Sequence, residues 1–330
     1  MAERKPSLCY QQNSGKAQNY LVPRIIINKR QVQYSITQKT NLMIAASFEY
    51  DAPSTLEEAI GLLQQYGEDA KILSGGHSLI PMMKLRFASP QRVIDINGVP
   101  GLSYIKEEKG VLKIGALTRE AEIEHSDLLK KKFPIFGDVT KLIADPQVRN
   151  RGTIGGNLAH GDAANDHPAA MLALRATVIA TGPEGKRSIP IDEFFFGFYQ
   201  TALQHSEVLT EIQIPIPPKG TGSAYHKFER KVGDYATAGA AVQLTINDKG
   251  ICTAIGIGLT NVNATPLRAG RSEQFLLNKS LTDDNIAAAA QLASEDCNPS
   301  ADLRGSEEYK RAMVAVLVKR MIRKAIERTK

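Results

Sequence analysis

Two glycine-rich segments, residues 74–78 and 152–157, constrain the fold of this chain more than any other feature of its sequence. A glycine pair lets backbone N–H groups approach an anion closely, and successive N–H groups form a concave site for phosphate oxygens. Each segment alone is most simply a tight structural turn. Together, in adjacent α/β units, the two turns are able to grip a pyrophosphate from both sides.

The familiar nucleotide-binding signatures are absent from the sequence. It contains no GxxxxGK[ST] loop, so a P-loop is not supported. The nearest approach to GxGxxG, at Gly256 and Gly258, lacks the last glycine and falls within a predicted strand. A dinucleotide bound by this chain would therefore not be held in the Rossmann manner.

Local patterns predict two α/β units in the first two thirds of the chain. A capping box at residues 54–57 begins the first helix, and Gly67 is expected to end it. The polar and apolar periodicity places the remaining elements. Strands are expected at 71–73, 93–96, 111–116, 177–181 and 207–216, and further helices at 118–125, 138–144 and 169–175.

The last third has a different character, typical of an antiparallel meander followed by helices. Strands are expected at 224–229, 239–246 and 253–259, and helices at 273–277, 283–293 and 307–328. In the last helix, four apolar residues recur every four positions and predict a face that packs against the domain, while the basic residues between them indicate a solvated face. These four are Tyr309, Met313, Leu317 and Met321.

The net charge of +6 does not predict a nucleic-acid interface. The first 42 residues contain seven basic residues and one acidic residue, and they account for the whole excess. We expect this segment to be a disordered tail or a translated upstream region, with Met43 as the functional start. No run of about 18 apolar residues predicts a membrane span, and the start lacks a signal-peptide core, so a cytoplasmic location is expected.

Cysteine and histidine usage argues against a metal centre or a nucleophile held by this chain alone. Cys9, Cys252 and Cys297 are far apart, so neither a disulfide framework nor an iron–sulfur cluster is predicted. A cluster of acidic and histidine side chains after the second glycine-rich segment favours cofactor contact or loop structure over a metal site. Its members are His160, Asp162, Asp166 and His167. No catalytic acid, base or nucleophile is predicted.

Several motifs resemble one family of flavoproteins. Residues 72–86, ILSGGHSLIPMMKLR, closely resemble the first flavin loop of the FAD-binding medium subunits of the xanthine dehydrogenase family, which includes carbon monoxide dehydrogenase. Residues 153–162 look like the second flavin loop, and residues 230–236 and 265–269 fit motifs of the C-terminal domain. The resemblance runs from about Phe48 to the C-terminus.

The resemblance implies an α+β fold with a two-part, PCMH-type FAD-binding domain of the vanillyl-alcohol oxidase and MurB kind. A C-terminal domain with a three-stranded antiparallel sheet and a helical bundle would follow. The implied limits are 1–42 for an N-terminal extension, 43–219 for the FAD-binding domain and 220–330 for the C-terminal domain. Within the FAD-binding domain, the subdomains would cover about 43–97 and 98–219.

The resemblance also implies the residues that contact FAD. The first set would wrap the pyrophosphate and part of the flavin: Ile72, Leu73, Ser74, Gly75, Gly76, His77, Ser78 and Leu79. The second set would hold the diphosphate from the opposite side: Thr153, Ile154, Gly155, Gly156 and Asn157. Asp166 matches a FAD ligand, Leu209 would pack beside the isoalloxazine, and Lys227 would lie near its polar edge. Ile143 and Tyr235 fall where further contacts are expected.

The function implied is that of an electron-transfer subunit. A molybdopterin large subunit would oxidise the substrate, and a small subunit with [2Fe–2S] clusters would pass electrons to the flavin, in a dimer of heterotrimers. The flavin would deliver them to an external acceptor such as a quinone, NAD or oxygen. Two alternatives stay open, a stand-alone FAD-dependent oxidase or dehydrogenase and a structural subunit without FAD. The substrate is not predicted.

Overall fold

The computed structural model describes residues 44–329, so the predictions for residues 1–42 and Met43 concern a part of the chain outside the described residues. The strands are β1 Glu49–Asp51, β2 Ala70–Leu73, β3 Arg92–Asp95, β4 Ile105–Glu108, β5 Val111–Gly115, β6 Thr177–Gly182, β7 Gly185–Pro190, β8 Phe195–Gly197, β9 Gln200–Thr201, β10 Val208–Pro215, β11 Thr221–Phe228, β12 Ala238–Ile246, β13 Cys252–Thr260 and β14 Leu267–Arg268. The α-helices are α1 Leu56–Tyr66, α2 Leu79–Lys84, α3 Glu120–His125, α4 Asp127–Lys132, α5 Pro134–Leu142, α6 Pro146–Arg149, α7 Ile154–Ala159, α8 Asp166–Ala173, α9 Gly270–Leu276, α10 Asp283–Glu295 and α11 Glu307–Glu327.

The first sheet is parallel, with strand order β1-β3-β2, and α1 packs against it. The helix buries Ala59, Ile60 and Leu63, and it ends at Gly67 as predicted, where φ is +53°. The predicted capping box is wrong by one residue. The helix is capped by Thr55 and not by Ser54, since Thr55 Oγ1 accepts from the Glu58 amide. The Glu58 carboxylate in turn accepts from the amide and the hydroxyl of Ser54.

The second sheet is antiparallel, with strand order β4-β5-β10-β6-β7. Its inner face packs against α5, α7 and α8 around a large apolar core that includes Phe133, Phe136 and Phe194. The predicted helix at 138–144 lies instead at Pro134–Leu142, because Pro134 is tolerated in the first turn and Ile143 is already extended. Strands β4, β7, β8 and β9 were not predicted.

The C-terminal sheet has four antiparallel strands, β11-β12-β13-β14, where three were predicted. The fourth is only two residues long, too short for an alternating pattern to reveal it. Helices α9, α10 and α11 cover this sheet, and their apolar faces form its core. The predicted α+β class is therefore confirmed, with two sheets in the first part of the chain and one in the C-terminal part.

The long helix α11 corrects two details of the sequence prediction. Leu317 and Met321 are buried as expected, but Tyr309 at the start of the helix is exposed. Lys310 was expected on a solvated face and is 2% exposed. Its Nζ donates to Ser300 O at 2.9 Å and to Asp302 Oδ2 at 2.8 Å, so the buried charge is paired.

Gly256 and Gly258, the nearest approach to GxGxxG in the sequence, lie on β13. A Cβ at Gly256 would overlap the carbonyl of Ala173, and a Cβ at Gly258 would overlap that of Ala169. Helix α8 therefore lies directly on the backbone of β13, and only glycine permits this approach. These glycines serve packing between the two parts of the chain.

The second glycine-rich segment is not a turn. Residues Ile154–Ala159 form helix α7, and Thr153 caps it by accepting from the Gly156 amide at 3.1 Å. The first segment does turn, with Gly76 at φ +77°, and it leads into α2. None of the helices described, from α1 to α11, is long and apolar enough to cross a membrane.

Candidate functional site

The two glycine-rich segments touch each other. Ser74 Oγ lies 3.2 Å from Thr153 Oγ1, and Gly75 packs against the backbone just before the second segment. A Cβ built on Gly75 would lie 2.7 Å from Arg151 O and 2.9 Å from Gly152 Cα. Strand β2 delivers the first segment to this contact, and the loop after α6 delivers the second.

The segments border a cleft of about 600 Å³, and the cleft also receives residues from the C-terminal part of the chain. This volume falls within the range of roughly 300–1,000 Å³ that is usual for small-molecule and cofactor sites. Twelve of the sixteen predicted contact residues line it: Ile72, Ser74, Gly75, Gly76, His77, Ser78, Leu79, Thr153, Gly156, Asn157, Asp166 and Lys227. Their roles as cofactor contacts stay predictions.

Four of the predicted contact residues do not line the cleft: Leu73, Ile154, Gly155 and Leu209. Ile154 and Leu209 belong to the apolar core of the second sheet. A Cβ on Gly155 would lie 2.5 Å from the Ala116 Cβ, so this glycine permits α7 to pack on the chain after β5.

The backbone amides of the two segments differ in a way that the sequence did not reveal. In the second segment, the amides of Ile154 and Gly155 donate to Thr118 O and Ala116 O, and that of Gly156 donates to the Thr153 cap. In the first segment, the four amides of residues 75–78 donate to no acceptor within the described part of the chain. The first segment therefore keeps the donors that an anion needs.

A buried ion pair lies on another part of the cleft wall. Lys227 Nζ donates to Asp166 Oδ2 at 2.8 Å, and the two side chains are 1% and 8% exposed. Lys227 also donates to Asp234 O at 2.8 Å, and the Tyr225 hydroxyl donates to Asp166 Oδ1. Burial raises the pKa of the Asp166 carboxyl, and the Lys227 ammonium opposes this rise. The pair joins α8 to β11 across the two parts of the chain.

The loop after β11 adds cleft residues that lie far from both segments in sequence. Gly233 approaches the Ala144 carbonyl closely, and Tyr235 lines the cleft beside it. Arg304 and Arg230 donate to the Asp234 carboxylate, which lowers the pKa of that carboxyl to about 2 despite its burial. The loop is therefore fixed against the cleft by charge-assisted hydrogen bonds.

The cluster expected after the second segment separates into different contacts. His167 Nε2 pairs with Glu120 Oε2 at 2.7 Å, both buried, and Asp162 accepts from the Ala164 amide. The His160 ring lies 4.8 Å from that of Tyr199, and both line the cleft. Over residues 44–329, no three side chains of His, Cys, Asp or Glu are close enough to hold a metal ion.

Sequence reasoning missed about half of the cleft lining. The residues not predicted are Lys71, Met82, Ala88, Glu120, Ala144, Val148, Gly152, Ala159, Asn165, Tyr199, Gly233 and Asp234, whereas His160 belongs to the cluster for which cofactor contact was among the expectations. Ile143 and Tyr235, where further contacts were expected, do line the cleft. No local pattern marks most of the missed residues, because tertiary contacts bring them to the cleft.

The residues of the cleft fit a flavin dinucleotide. Asn157 Oδ1 is buried and has no hydrogen-bond partner within residues 44–329, as expected of an acceptor that awaits a ligand donor. A Cβ on Gly156 would lie 2.8 Å from both Ser74 Oγ and Thr153 Oγ1, so glycine keeps this part of the cleft open. Free amides suit phosphate oxygens, and the buried polar wall suits the hydrogen-bonding edge of a flavin.

Comparisons with known proteins agree with this reading. Residues 46–217 match the family model described as the FAD binding domain in molybdopterin dehydrogenase. Residues 223–325 match that of the CO dehydrogenase flavoprotein C-terminal domain. The fold and the cleft thus define a flavoprotein, with FAD as its cofactor.

The relatives narrow this class. The carbon monoxide dehydrogenase medium chain of Hydrogenophaga pseudoflava is 48% identical over 283 residues, which cover 86% of this chain and 98% of the relative. The 6-hydroxypseudooxynicotine dehydrogenase complex subunit alpha of Paenarthrobacter nicotinovorans is 38% identical, with coverage of 86% and 96%. A solved structure of reconstituted CO dehydrogenase from Oligotropha carboxidovorans superposes with a TM-score of 0.85 at 45% identity, covering 87% of this chain and 100% of that chain. The chain belongs to the FAD-binding medium subunits of the molybdenum hydroxylases, a family of oxidoreductases.

Proposed function

We propose that this chain is the electron-transfer subunit of a heterotrimeric molybdenum hydroxylase, with FAD held in the cleft. A small partner subunit would supply electrons from its [2Fe–2S] clusters, and a large molybdopterin subunit would oxidise the substrate. The complex would be a dimer of heterotrimers in the cytoplasm, and a quinone, NAD or oxygen would be the external acceptor. The names of the relatives, which are dehydrogenase subunits, support this proposal.

The observation that carries the proposal is the run of four free amides at residues 75–78 on the wall of a cofactor-sized cleft. A concave run of N–H donors is the backbone arrangement that binds phosphate oxygens. We propose that this segment binds the pyrophosphate, and that Thr153, Gly156 and Asn157 complete the site from the opposite side. Ile154 and Gly155 would act only by supporting the wall, since their amides are already bonded.

We propose that the isoalloxazine lies toward the buried Lys227–Asp166 pair. When bound, FAD supplies the capacity to take up and release electrons. Lys227 would present positive charge and a donor near the ring, while Asp166 and Tyr225 keep that lysine in place. Ile143 and Tyr235 would exclude water, and Leu209 would support the ring from behind the wall. No side chain of this chain needs to transfer a proton to substrate.

We also propose the domain limits implied by the sequence. Residues 43–219 would form the FAD-binding domain, in subdomains of about 43–97 and 98–219, and residues 220–330 the C-terminal domain. Residues 1–42 would precede both. The gap between the two family matches, at residues 218–222, supports a limit near this position.

Native purification tests this function. The chain, tagged at its C-terminus in its own host, is expected to co-purify with two other polypeptides. The complex should show a flavin spectrum, and iron and molybdenum should reside in the partners after the subunits are separated. Substrate turnover by the isolated chain would favour a stand-alone flavoenzyme. A colourless chain within an active complex would favour a structural subunit.

A further inference from the structure

Asn97 and Arg119 join the two glycine-rich segments from outside the cleft. Asn97 follows β3, and its Nδ2 donates to Ser74 O at 2.8 Å. Arg119 follows β5, and its Nη2 donates to Asn97 Oδ1 at 2.5 Å. The Nη1 of the same guanidinium donates to Arg151 O. A chain of three hydrogen bonds thus links the first segment to the residue that precedes the second.

Both members of this link are themselves held in place. Asn97 donates from its backbone amide and from its Nδ2 to Asp95 Oδ1, at 2.9 and 2.5 Å. The Arg119 amide donates to Glu122 Oε2 at 2.8 Å, and Arg119 pairs with Thr153 in an isolated β-bridge. Burial and the nearby Arg151 charge lower the pKa of the Arg119 guanidinium.

The geometry of the peptide bond gives the link a consequence inside the cleft. In a trans peptide, the C=O and the next N–H point in opposite directions. Because Asn97 holds the Ser74 carbonyl, the Gly75 amide must point away from Asn97. Arg119 meanwhile donates to the Arg151 carbonyl oxygen, against which Gly75 packs. A Cβ built on Gly75 would lie only 2.7 Å from this oxygen. The link therefore fixes both the direction of one free amide and the spacing of the segments.

We infer that Asn97 and Arg119 form a brace that positions the Gly75 amide for the cofactor pyrophosphate, with Arg119 as a positioning residue. Neither side chain lines the cleft, and both would act on the cofactor only through the segments that they hold. This inference rests on the proposed binding of FAD in the cleft.

A rival explanation is that Arg119 acts at a distance through its positive charge. Substitution by lysine separates the two, because lysine keeps the charge but lacks the planar fork that reaches two acceptors at once. The matched control is Arg92→Lys. Arg92 is also half-buried and donates to Asp51 at 2.6 Å. It lies on β3, the strand that precedes Asn97, and has no hydrogen bond to either glycine-rich segment.

The experiment measures FAD binding to the deflavinated chain by fluorescence quenching, and the ³¹P NMR signals of bound FAD. Loss of a charge-assisted hydrogen bond predicts that Arg119→Met and Asn97→Ala each lower FAD affinity about ten- to thirtyfold. Arg119→Lys should lose about tenfold, and Arg92→Lys should match the wild type. The ³¹P signals should shift in the brace variants, whereas the visible spectrum of the bound flavin should not.

The outcomes separate this inference from the proposed function. If the wild-type chain does not bind FAD, the proposed function itself fails. If the wild type binds FAD and Arg119→Lys binds equally well, charge alone is sufficient and the brace is overturned. Unchanged ³¹P signals in Arg119→Met would also overturn it, even with weaker binding, because a loss of general stability does not alter the environment of the bound phosphates.

Discussion

Adding one methyl group at Gly75 tests whether contact between the glycine-rich segments sets the shape of the FAD site. In Gly75→Ala, the new Cβ would lie 2.7 Å from Arg151 O, 2.9 Å from Gly152 Cα and 3.2 Å from the Arg151 carbonyl carbon. All three atoms belong to the backbone, so no side-chain rotation relieves the overlap. Ordinary contact begins at 3.4 Å, and the segments must therefore separate by about 0.7 Å.

The magnitude follows from the contacts that this separation disturbs. Overpacking in a close-packed site costs about 1–3 kcal/mol. The movement also stretches the hydrogen bond between Ser74 and Thr153, now 3.2 Å, which is worth about 1 kcal/mol. If about 2–3 kcal/mol of this is lost from the bound state, FAD affinity falls roughly thirty- to 150-fold.

The assay is titration of the deflavinated protein with FAD, followed by flavin fluorescence, together with thermal unfolding of the apoprotein. Gly61→Ala is the control, because Gly61 lies in α1 and its Cβ would meet nothing within 4 Å. Alanine there should raise stability by up to about 1 kcal/mol through helix propensity and leave FAD affinity unchanged. Wild-type FAD affinity in Gly75→Ala would refute the reasoning, since it would mean that the contact between the segments does not shape the site.

Three further predictions concern the buried charges and the packing between the two parts of the chain. Lys227→Met should destabilise the apoprotein by about 3–5 kcal/mol in urea unfolding, because it leaves the buried Asp166 carboxylate unpaired, and Lys227→Met with Asp166→Asn should recover much of this loss. The fold lowers the pKa of Asp234 from 3.8 to about 2, so the ion pairs of this carboxylate contribute stability above pH 3.8 that is lost as the pH falls through 2. In acid unfolding, Asp234→Asn should therefore lose less stability than the wild type between pH 3.8 and pH 2. Gly258→Ala should cost about 2–3 kcal/mol in calorimetry, because its Cβ overlaps the Ala169 carbonyl.

Each of these predictions has a result that contradicts it. Equal destabilisation by the single and double variants at Lys227 and Asp166 would mean that the pair is not coupled. Parallel acid-unfolding curves for Asp234→Asn and the wild type would mean that protonation of this carboxylate does not contribute to the loss of stability in acid. For Gly258→Ala the control is Gly270→Ala, whose Cβ meets nothing within 4 Å, and equal stability of the two variants would show that α8 does not need the bare backbone of β13.

The sequence by itself determined the features that depend on short stretches of chain. Gly67 ends α1 as predicted, since a left-handed residue after a helix favours glycine. Runs of strand-forming residues located β11, β12 and β13 to within a few residues. The motifs around residues 72–86 and 153–162 are long enough to identify the family, which the comparisons confirm.

Only the tertiary structure decided how the FAD site is built. The sequence presented two equivalent glycine turns, whereas the fold makes one of them a helix whose first amides are bonded and leaves the donors of the other free. Lys227 meets Asp166 across 61 positions of sequence, and Arg119 meets Asn97 across 22. Such contacts depend on how sheets and helices pack, and no local spacing encodes them. The glycine pairs predicted that backbone amides would approach an anion, and the packing determined which amides remain free for a ligand.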